Sequence, residues 1–112
     1  MVRVTSAFWV SAFVRRCYAE GAAAVVVRRG AEEAGAIMVI VDRLDGTLDL
    51  YSPAPQSEIV QDGSSDRLFE RVLECATAEA LRERTDRELR FDPDIWIIEV
   101  EDRDGRVVVN SA

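Results

Sequence analysis

Residues 36–41 form an uninterrupted apolar run, AIMVIV, which constrains the fold more than any other part of the chain. In an extended strand, successive side chains point to opposite faces of the sheet. Both alternating sets of side chains in this run are apolar, which is typical of a central strand covered on each face. The chain must therefore place a helix over at least one face of the sheet that contains this strand.

Four other segments have the composition of strands: residues 22–29, 47–52, 95–100 and 106–109. Asp-Gly pairs at 45–46 and 104–105 stand where tight connections are expected. Within 47–52, strict alternation predicts that Leu48 and Leu50 face the core, whereas Thr47 and Asp49 face water. Short connections of this kind predict mostly antiparallel neighbours.

An amphipathic helix is predicted over residues 6–20, because its apolar side chains recur at intervals of three and four residues. Thr5 or Ser6 is positioned to cap the start of this helix, and Gly21 stands at its end. Its aromatic stripe is expected to pack on the sheet.

Residues 66–90 leave two alternatives open. Their periodicity favours one long helix, but residues 68–73 also fit a short strand, with Thr77 capping a helix over 78–89. Residues 53–65 before them are predicted to be a polar loop that is either mobile or a binding element, and a mobile loop is favoured.

Together these elements indicate a single α+β domain, residues 1–112, with helices packed on a mainly antiparallel sheet. Their order is α-β-β-β, then a strand or a helix, then α-β-β. The sequence contains no internal repeat.

The composition excludes several classes of enzyme. The chain has no histidine, and all 14 of its basic residues are arginine. Histidine-dependent triads, histidine-ligated metal sites and lysine Schiff bases are therefore excluded. No cofactor is predicted, and the balance favours a protein that is not an enzyme.

Charge, hydropathy and cysteines bear on partners and location. With 14 basic and 21 acidic side chains the formal net charge is −7, which disfavours nucleic-acid binding because phosphate contacts need a positive face. No apolar run approaches the roughly 20 residues that cross a bilayer. Cys17 and Cys75 are expected to be reduced, buried side chains of a cytoplasmic protein, and a disulfide or a reactive thiol is the alternative.

Four stretches of the sequence resemble a known family. They are residues 9–16, the triplet at 28–30, the hairpin at 43–47 with 51–55, and above all the block RFDPDIWIIEVEDR at 90–103. In these stretches the chain is similar to DUF1491, a small bacterial family of uncharacterised proteins, and the likeness covers nearly the whole chain. The resemblance implies a short bacterial protein with no assigned activity, cofactor or catalytic residue. It also implies a break in the helical pattern near 69–73, which favours the strand there.

The acidic residues at 92–104 are the first candidate site. Carboxylate oxygens of Asp92, Asp94 and Glu99 suit magnesium, calcium or manganese, and a pair of carboxylates suits acid–base chemistry. The competing interpretation is that the aspartates are turn residues and Glu99 belongs to a solvated strand edge.

Four arginines form the second candidate site: Arg15, Arg16, Arg28 and Arg29. The guanidinium fork binds planar anions such as phosphate or carboxylate. These side chains converge only if the helix packs over the first strand, and otherwise they pair with nearby glutamates.

Exposed aromatic surface around Phe8, Trp9 and Tyr51 is the third candidate, and a two-fold dimer is the usual way to cover it. Phe8 and Trp9 are adjacent on a helix, so both cannot face inward. Phe13 and Trp96 are expected in the core.

These observations favour a non-enzymatic cytoplasmic protein that acts through protein–protein contact, first with a second copy of itself and beyond that with an unidentified protein. A carboxylate-based, divalent-metal-dependent enzyme and an arginine-based module for small anions are the alternatives. Neither nucleic acid nor a membrane is an expected partner.

Overall fold

The computed structural model describes residues 4–55 and 67–106, which form two helices and five strands. In chain order these are α1 (Ser6–Ala19), β1 (Ala24–Arg28), β2 (Ile37–Asp42), β3 (Leu48–Pro53), β4 (Phe69–Ala76), α2 (Ala78–Phe91) and β5 (Trp96–Glu101). Neither of these two helices has the length and apolar character needed to cross a membrane.

The strands form one sheet in the order β1-β5-β2-β3-β4. The pairs β1–β5, β2–β3 and β3–β4 are antiparallel, and β2 and β5 run parallel. The apolar strand β2 therefore lies at the centre of the sheet, as its sequence predicts. The predicted α+β fold with a mainly antiparallel sheet is confirmed.

An apolar cluster covers each face of the sheet. On one face, α1 packs through Val10, Phe13 and Cys17 against a cluster that includes Val39 of β2 and Trp96 of β5. On the other face, the second cluster consists of Met38, Ile40, Leu50, Ile95 and Ile97, with Leu81 and Leu89 of α2 packed against it. The predicted burial of Phe13 and Trp96 is confirmed.

The start of α1 is fixed to the turn that precedes β2. Thr5 caps the helix, since its Oγ1 accepts a hydrogen bond from the backbone N–H of Phe8 at 3.1 Å. The hydroxyl of Ser6 donates to the carbonyl of Gly35 at 2.6 Å, and the backbone N–H of Ser6 donates to the carbonyl of Glu33. The bonds from the backbone N–H groups of Phe8 and Ser6 satisfy donors that a first helical turn leaves without an intrahelical partner.

Residues 69–76 form a strand. Of the two alternatives that the sequence leaves open for this segment, the strand is therefore confirmed and the single long helix is wrong. The side chain of Thr77 caps α2, as the alternative requires. The misleading helical spacing has a physical cause, because the register between β3 and β4 shifts twice along the strand. An extra residue in one strand can turn consecutive side chains to the same face, and Val72 and Leu73 both pack against the second cluster.

Two expectations about single residues are also wrong. Asp49, predicted to face water, is fully buried, because β3 lies between β2 and β4 and is covered on both faces. Cys75, expected in the core, is exposed, whereas Cys17 is buried as predicted and both thiols are free.

Two predicted segments fall largely outside the described residues. Of the predicted strand at 106–109, the structure describes Arg106 alone. Of the predicted loop at 53–65, it describes residues 53–55.

Candidate interaction surface at the sheet edge

β1 lies at one edge of the sheet, and β5 is its only strand partner among residues 4–55 and 67–106. The backbone N–H of Glu101 donates to the carbonyl of Ala23 at 2.9 Å. Along an antiparallel pair, hydrogen-bonded and non-hydrogen-bonded positions alternate. Ala23 and Val25 therefore face β5, whereas Ala24 and Val26 direct their backbone N–H and carbonyl groups toward the open edge.

Two valines of this apolar strand are exposed, Val25 by 58% and Val27 by 54%. The cause is the position of α2, which packs against β3 and β4 at the opposite edge of the sheet. The helix therefore does not cover the face of β1 on which Val25 lies. The register with β5 shifts between Val26 and Arg28, so Val27 is the extra residue of a bulge. The regular part of the edge therefore ends at Val26.

The two ends of the edge differ in charge. Glu99 of β5 pairs with Val25 of β1. Glu101, two residues further along β5, pairs with Asp42 of β2. Burial, together with the negative charges of Asp42 and Glu101, raises the pKa of Glu99. The first end of β1 therefore lies beside negative charge, whereas Arg28, the one charged residue of the strand, stands at the other end.

A small cleft of about 80 Å³ runs along this edge. The residues that line it are Tyr18, Ala23, Ala24, Val25, Glu99 and Glu101. Tyr18, on α1, is itself an exposed aromatic residue. Binding sites for drug-sized ligands usually measure about 300–1,000 Å³, so this edge suits a polypeptide strand better than a small molecule.

The structure does not bring the predicted aromatic patch together as a free surface. Phe8 is 60% exposed. Trp9 is half-buried, and its ring centroid lies 5.0 Å from that of Phe13 and 5.5 Å from that of Phe69. Tyr51 is buried in the cluster that packs against α1. Trp9 and Tyr51 therefore contribute to the core, and of the three predicted residues Phe8 alone is exposed to solvent.

The three candidate metal ligands are also separated. Asp92 ends α2, and its side chain accepts a hydrogen bond from the backbone N–H of Asp94 at 3.0 Å, as in an ordinary turn. Glu99 follows Asp94 by five residues of mostly extended chain, or roughly 16 Å. Within the part of the chain that the structure describes, no three His, Cys, Asp or Glu side chains are placed to hold a metal ion.

The four candidate arginines contact separate groups. The guanidinium of Arg16 lies 5.2 Å from the centroid of one core aromatic ring, and that of Arg29 lies 4.9 Å from another. Arg28 donates through Nη1 to the carbonyls of Arg29 and Ile95, each at 3.2 Å. Arg15 is exposed on α1. The contacts described for these side chains are thus with rings and backbone carbonyls.

Asp49 of β3 is fully buried and is the centre of a polar cluster. Its Oδ2 accepts a hydrogen bond from Nε of Arg43 at 2.8 Å and lies 4.0 Å from Nη1 of Arg71. Its Oδ1 accepts from the backbone N–H of Cys75 at 2.8 Å. The hydrogen bond to Asp49 raises the pKa of Arg43. Since both carboxylate oxygens are bonded within the protein, the cluster suits a structural role.

The sequence gives little sign that Val25 and Val27 lie at the surface. A run of consecutive valines is equally typical of a strand buried inside the sheet. The available signal is the Arg28-Arg29 pair that follows the run, since charges that close an apolar strand are common at edges.

Within residues 4–55 and 67–106, fold and site together define a small α+β domain with two helices, a five-stranded sheet and an apolar edge strand that is open on one side. A sequence model of the family described as "Protein of unknown function (DUF1491)" matches residues 4–110. The chain belongs to this family, and the resemblance seen in its sequence is confirmed. No curated protein matches the chain.

Solved structures from bacteria are similar to the chain over nearly its whole length. The solution structure of protein Atu0922 from A. tumefaciens is 40% identical with a TM-score of 0.82, covering 97% of this chain and 95% of that one. The crystal structure of a DUF1491 family protein from Caulobacter crescentus CB15 is 34% identical with a TM-score of 0.77, covering 99% of each chain. The NMR structure of a DUF1491 family protein from the same organism is 36% identical with a TM-score of 0.77, covering 100% of this chain and 99% of that one.

Proposed function

We propose that this protein acts in the cytoplasm through protein–protein contact, and that its first partner is a second copy of the same chain. The observation that carries the proposal is the open edge of β1. Outward backbone groups of Ala24 and Val26 lie there beside the exposed side chains of Val25 and Val27. An exposed edge strand of this kind is a template for pairing with another strand.

Two further observations support the proposal. Burial of exposed valine surface favours association by about 25 cal/mol per Å² of apolar area, and a two-fold axis between identical edges gives a closed dimer. The free thiols of Cys17 and Cys75 suit a reducing compartment such as the cytoplasm.

Sedimentation equilibrium, run from low micromolar to submillimolar protein, tests the proposal. The wild-type chain is expected to show a concentration-dependent dimer. Val25→Lys places a charge at the edge and is expected to weaken the dimer by about tenfold or more. Phe91→Lys is the matched control, since Phe91 is also strongly exposed but lies at the end of α2, and it is expected to leave the dimer unchanged.

The same experiment separates this surface from the aromatic residue on α1. Phe8→Lys is expected to leave the dimer intact. Loss of the dimer in Phe8→Lys with no effect of Val25→Lys would move the interface to α1 and overturn the assignment to β1. A wild-type chain that stays monomeric at every concentration would overturn self-association itself.

A further inference from the structure

Resting on the proposed self-association, we infer that two copies join their β1 strands antiparallel about a two-fold axis at Val25, and that Arg28 of each copy binds Glu101 of the partner subunit. The inference adds a register and a specific ion pair to the proposed contact. Both follow from the backbone and the charges of the edge.

The register follows from the outward backbone groups. In the regular part of β1, before the bulge at Val27, Ala24 and Val26 direct their N–H and carbonyl groups to the open edge. All of these groups are used when Ala24 lies opposite Val26 of the partner subunit and Val26 opposite Ala24 of the partner subunit. Val25 then faces Val25 of the partner subunit in a non-hydrogen-bonded pair, whose Cα atoms lie about 4.5 Å apart.

This register also covers the exposed valines. The two Val25 side chains meet on the axis, on the face that α2 leaves open, and Val27 of each copy lies beside Ala23 of the partner subunit. Bulges normally protect an edge by bending it away from other strands. Here the bulge at Val27 lies outside the paired residues 24–26, so it limits the contact to one register without preventing it.

The charges of the edge are complementary in the same register. Because Val27 is the extra residue of a bulge, Arg28 takes the next place after Val26. Arg28 of the partner subunit therefore lies opposite Ala23, whose neighbour on β5 is Glu101. Two strand spacings separate the arginine and the glutamate, or about 10 Å between Cα atoms, and the two extended side chains together span this gap. In the single chain Nη1 of Arg28 donates to the carbonyls of Arg29 and Ile95, each at 3.2 Å, so the side chain exchanges these bonds for the carboxylate when it turns to the partner.

The two-fold axis produces this ion pair twice. Each copy carries a formal net charge of −7, so unrelieved association of two copies is opposed by repulsion. Two Arg28–Glu101 pairs at the interface offset that repulsion where the chains are closest. The charge pattern therefore favours a second copy over another acidic partner.

A cysteine on the axis tests the register. Val25→Cys in a Cys75→Ser background, treated with oxidised glutathione, is expected to give a disulfide-linked dimer, because the Cα separation on the axis suits a disulfide. Val27→Cys in the same background is the matched control. In this register the two Val27 positions lie four residues apart along the strands, or roughly 13 Å, so no cross-link is expected. Cys17 is buried and does not interfere.

A charge swap tests the ion pair. Arg28→Glu and Glu101→Arg are each expected to weaken the dimer by about tenfold, because each places like charges together. The double variant is expected to recover most of the wild-type affinity. Two single losses that simply add in the double variant would overturn the Arg28–Glu101 pair.

The outcomes distinguish this inference from the function on which it rests. A wild-type dimer in which Val27→Cys cross-links and Val25→Cys does not would overturn the register and leave self-association standing. A wild-type monomer whose Ala24 and Val26 amide protons exchange slowly would show that another part of the chain covers the edge, and would overturn both.

Discussion

Arg43 and Asp49 form a buried ion pair in which Nε and Nη2 of the arginine each lie 2.8 Å from Oδ2 of the aspartate. The side chain of Asp49 has no exposed surface, whereas that of Arg43 keeps 17%. A buried carboxylate loses its hydration, and the arginine offsets that loss. Because the second carboxylate oxygen bonds the backbone of Cys75, the pair joins the turn before β3 to the irregular end of β4.

Removal of this carboxylate is expected to destabilise the fold strongly. Asp49→Ala leaves the guanidinium of Arg43 without its counterion and the N–H of Cys75 without its acceptor, so the free energy of unfolding should fall by about 3–5 kcal/mol. Urea denaturation followed by circular dichroism measures the change. Asp86→Ala, at an exposed position on α2, is the control and is expected to change stability by less than about 0.5 kcal/mol. Equal stability of the two variants would contradict a structural role for Asp49.

The Arg43 side chain also explains why residue 105 is glycine. A Cβ at Gly105 would lie 2.7 Å from Cζ and 2.8 Å from Nε of Arg43, and the backbone there has a φ of +68°. Gly105→Ala should therefore combine a conformational cost of about 1–2 kcal/mol with displacement of the guanidinium from Asp49. Gly21→Ala is the matched control, since Gly21 has a φ of +88° and no atom within 4 Å of the added Cβ. Equal losses of unfolding free energy in the two variants would show that Arg43 moves aside without cost.

Asp49 and Arg43 show where prediction from the sequence reaches its limit. The alternation of Leu48, Asp49 and Leu50 correctly predicts a strand, because side-chain direction alternates in any strand. The alternation does not show whether the face that carries Asp49 is exposed to water or covered by other parts of the protein, because that depends on where β3 lies in the sheet. Burial of Asp49 requires an arginine brought near by the turn, and this contact is not visible in the local pattern.

The edge surface is harder to predict for the same reason. The run that forms β2 predicts its central position, because both of its faces are apolar. The valine run of β1 is equally apolar, yet β1 lies at an edge of the sheet. The reason is that β5, a strand far along the chain, lies between β1 and β2. Strand order depends on contacts between distant segments, so the candidate residues Phe8, Trp9 and Tyr51 could be proposed from the sequence, whereas Val25 could not.

The two thiols are expected to differ in reactivity. Burial raises the pKa of the Cys17 thiol to about 11, so it stays protonated near pH 8, and reagents reach it only when the structure opens. Cys75 is exposed. Titration of the native protein with a thiol-specific reagent should therefore modify Cys75 first, with Cys17 slower by about a hundredfold or more. Cys75→Ser should remove the fast phase and Cys17→Ala the slow one, and a single fast phase for both thiols would contradict the burial of Cys17.

Glu99 is expected to make stability depend on pH in a definite direction. Its pKa is raised by burial and by the charges of Asp42 and Glu101, so the folded chain binds its proton more tightly than the unfolded chain does. Stability therefore falls as pH rises from the ordinary pKa of a glutamate to the raised pKa, and the full penalty is present above that window. Glu99→Gln removes the ionised form, and it should raise the Tm at pH 7 by about 2 °C.

The comparison with low pH makes this prediction specific to ionisation. At pH 4 the carboxyl of Glu99 is largely protonated in the folded chain, so the difference in Tm between wild type and Glu99→Gln should shrink. Glu83→Gln, at an exposed position on α2, should show no comparable difference at either pH. Dilute protein keeps dimerisation out of the measurement. If Glu99→Gln raises the Tm equally at both pH values, the gain comes from packing of the amide, and the crowding of Asp42, Glu99 and Glu101 beside the β1 edge does not cost the folded chain stability.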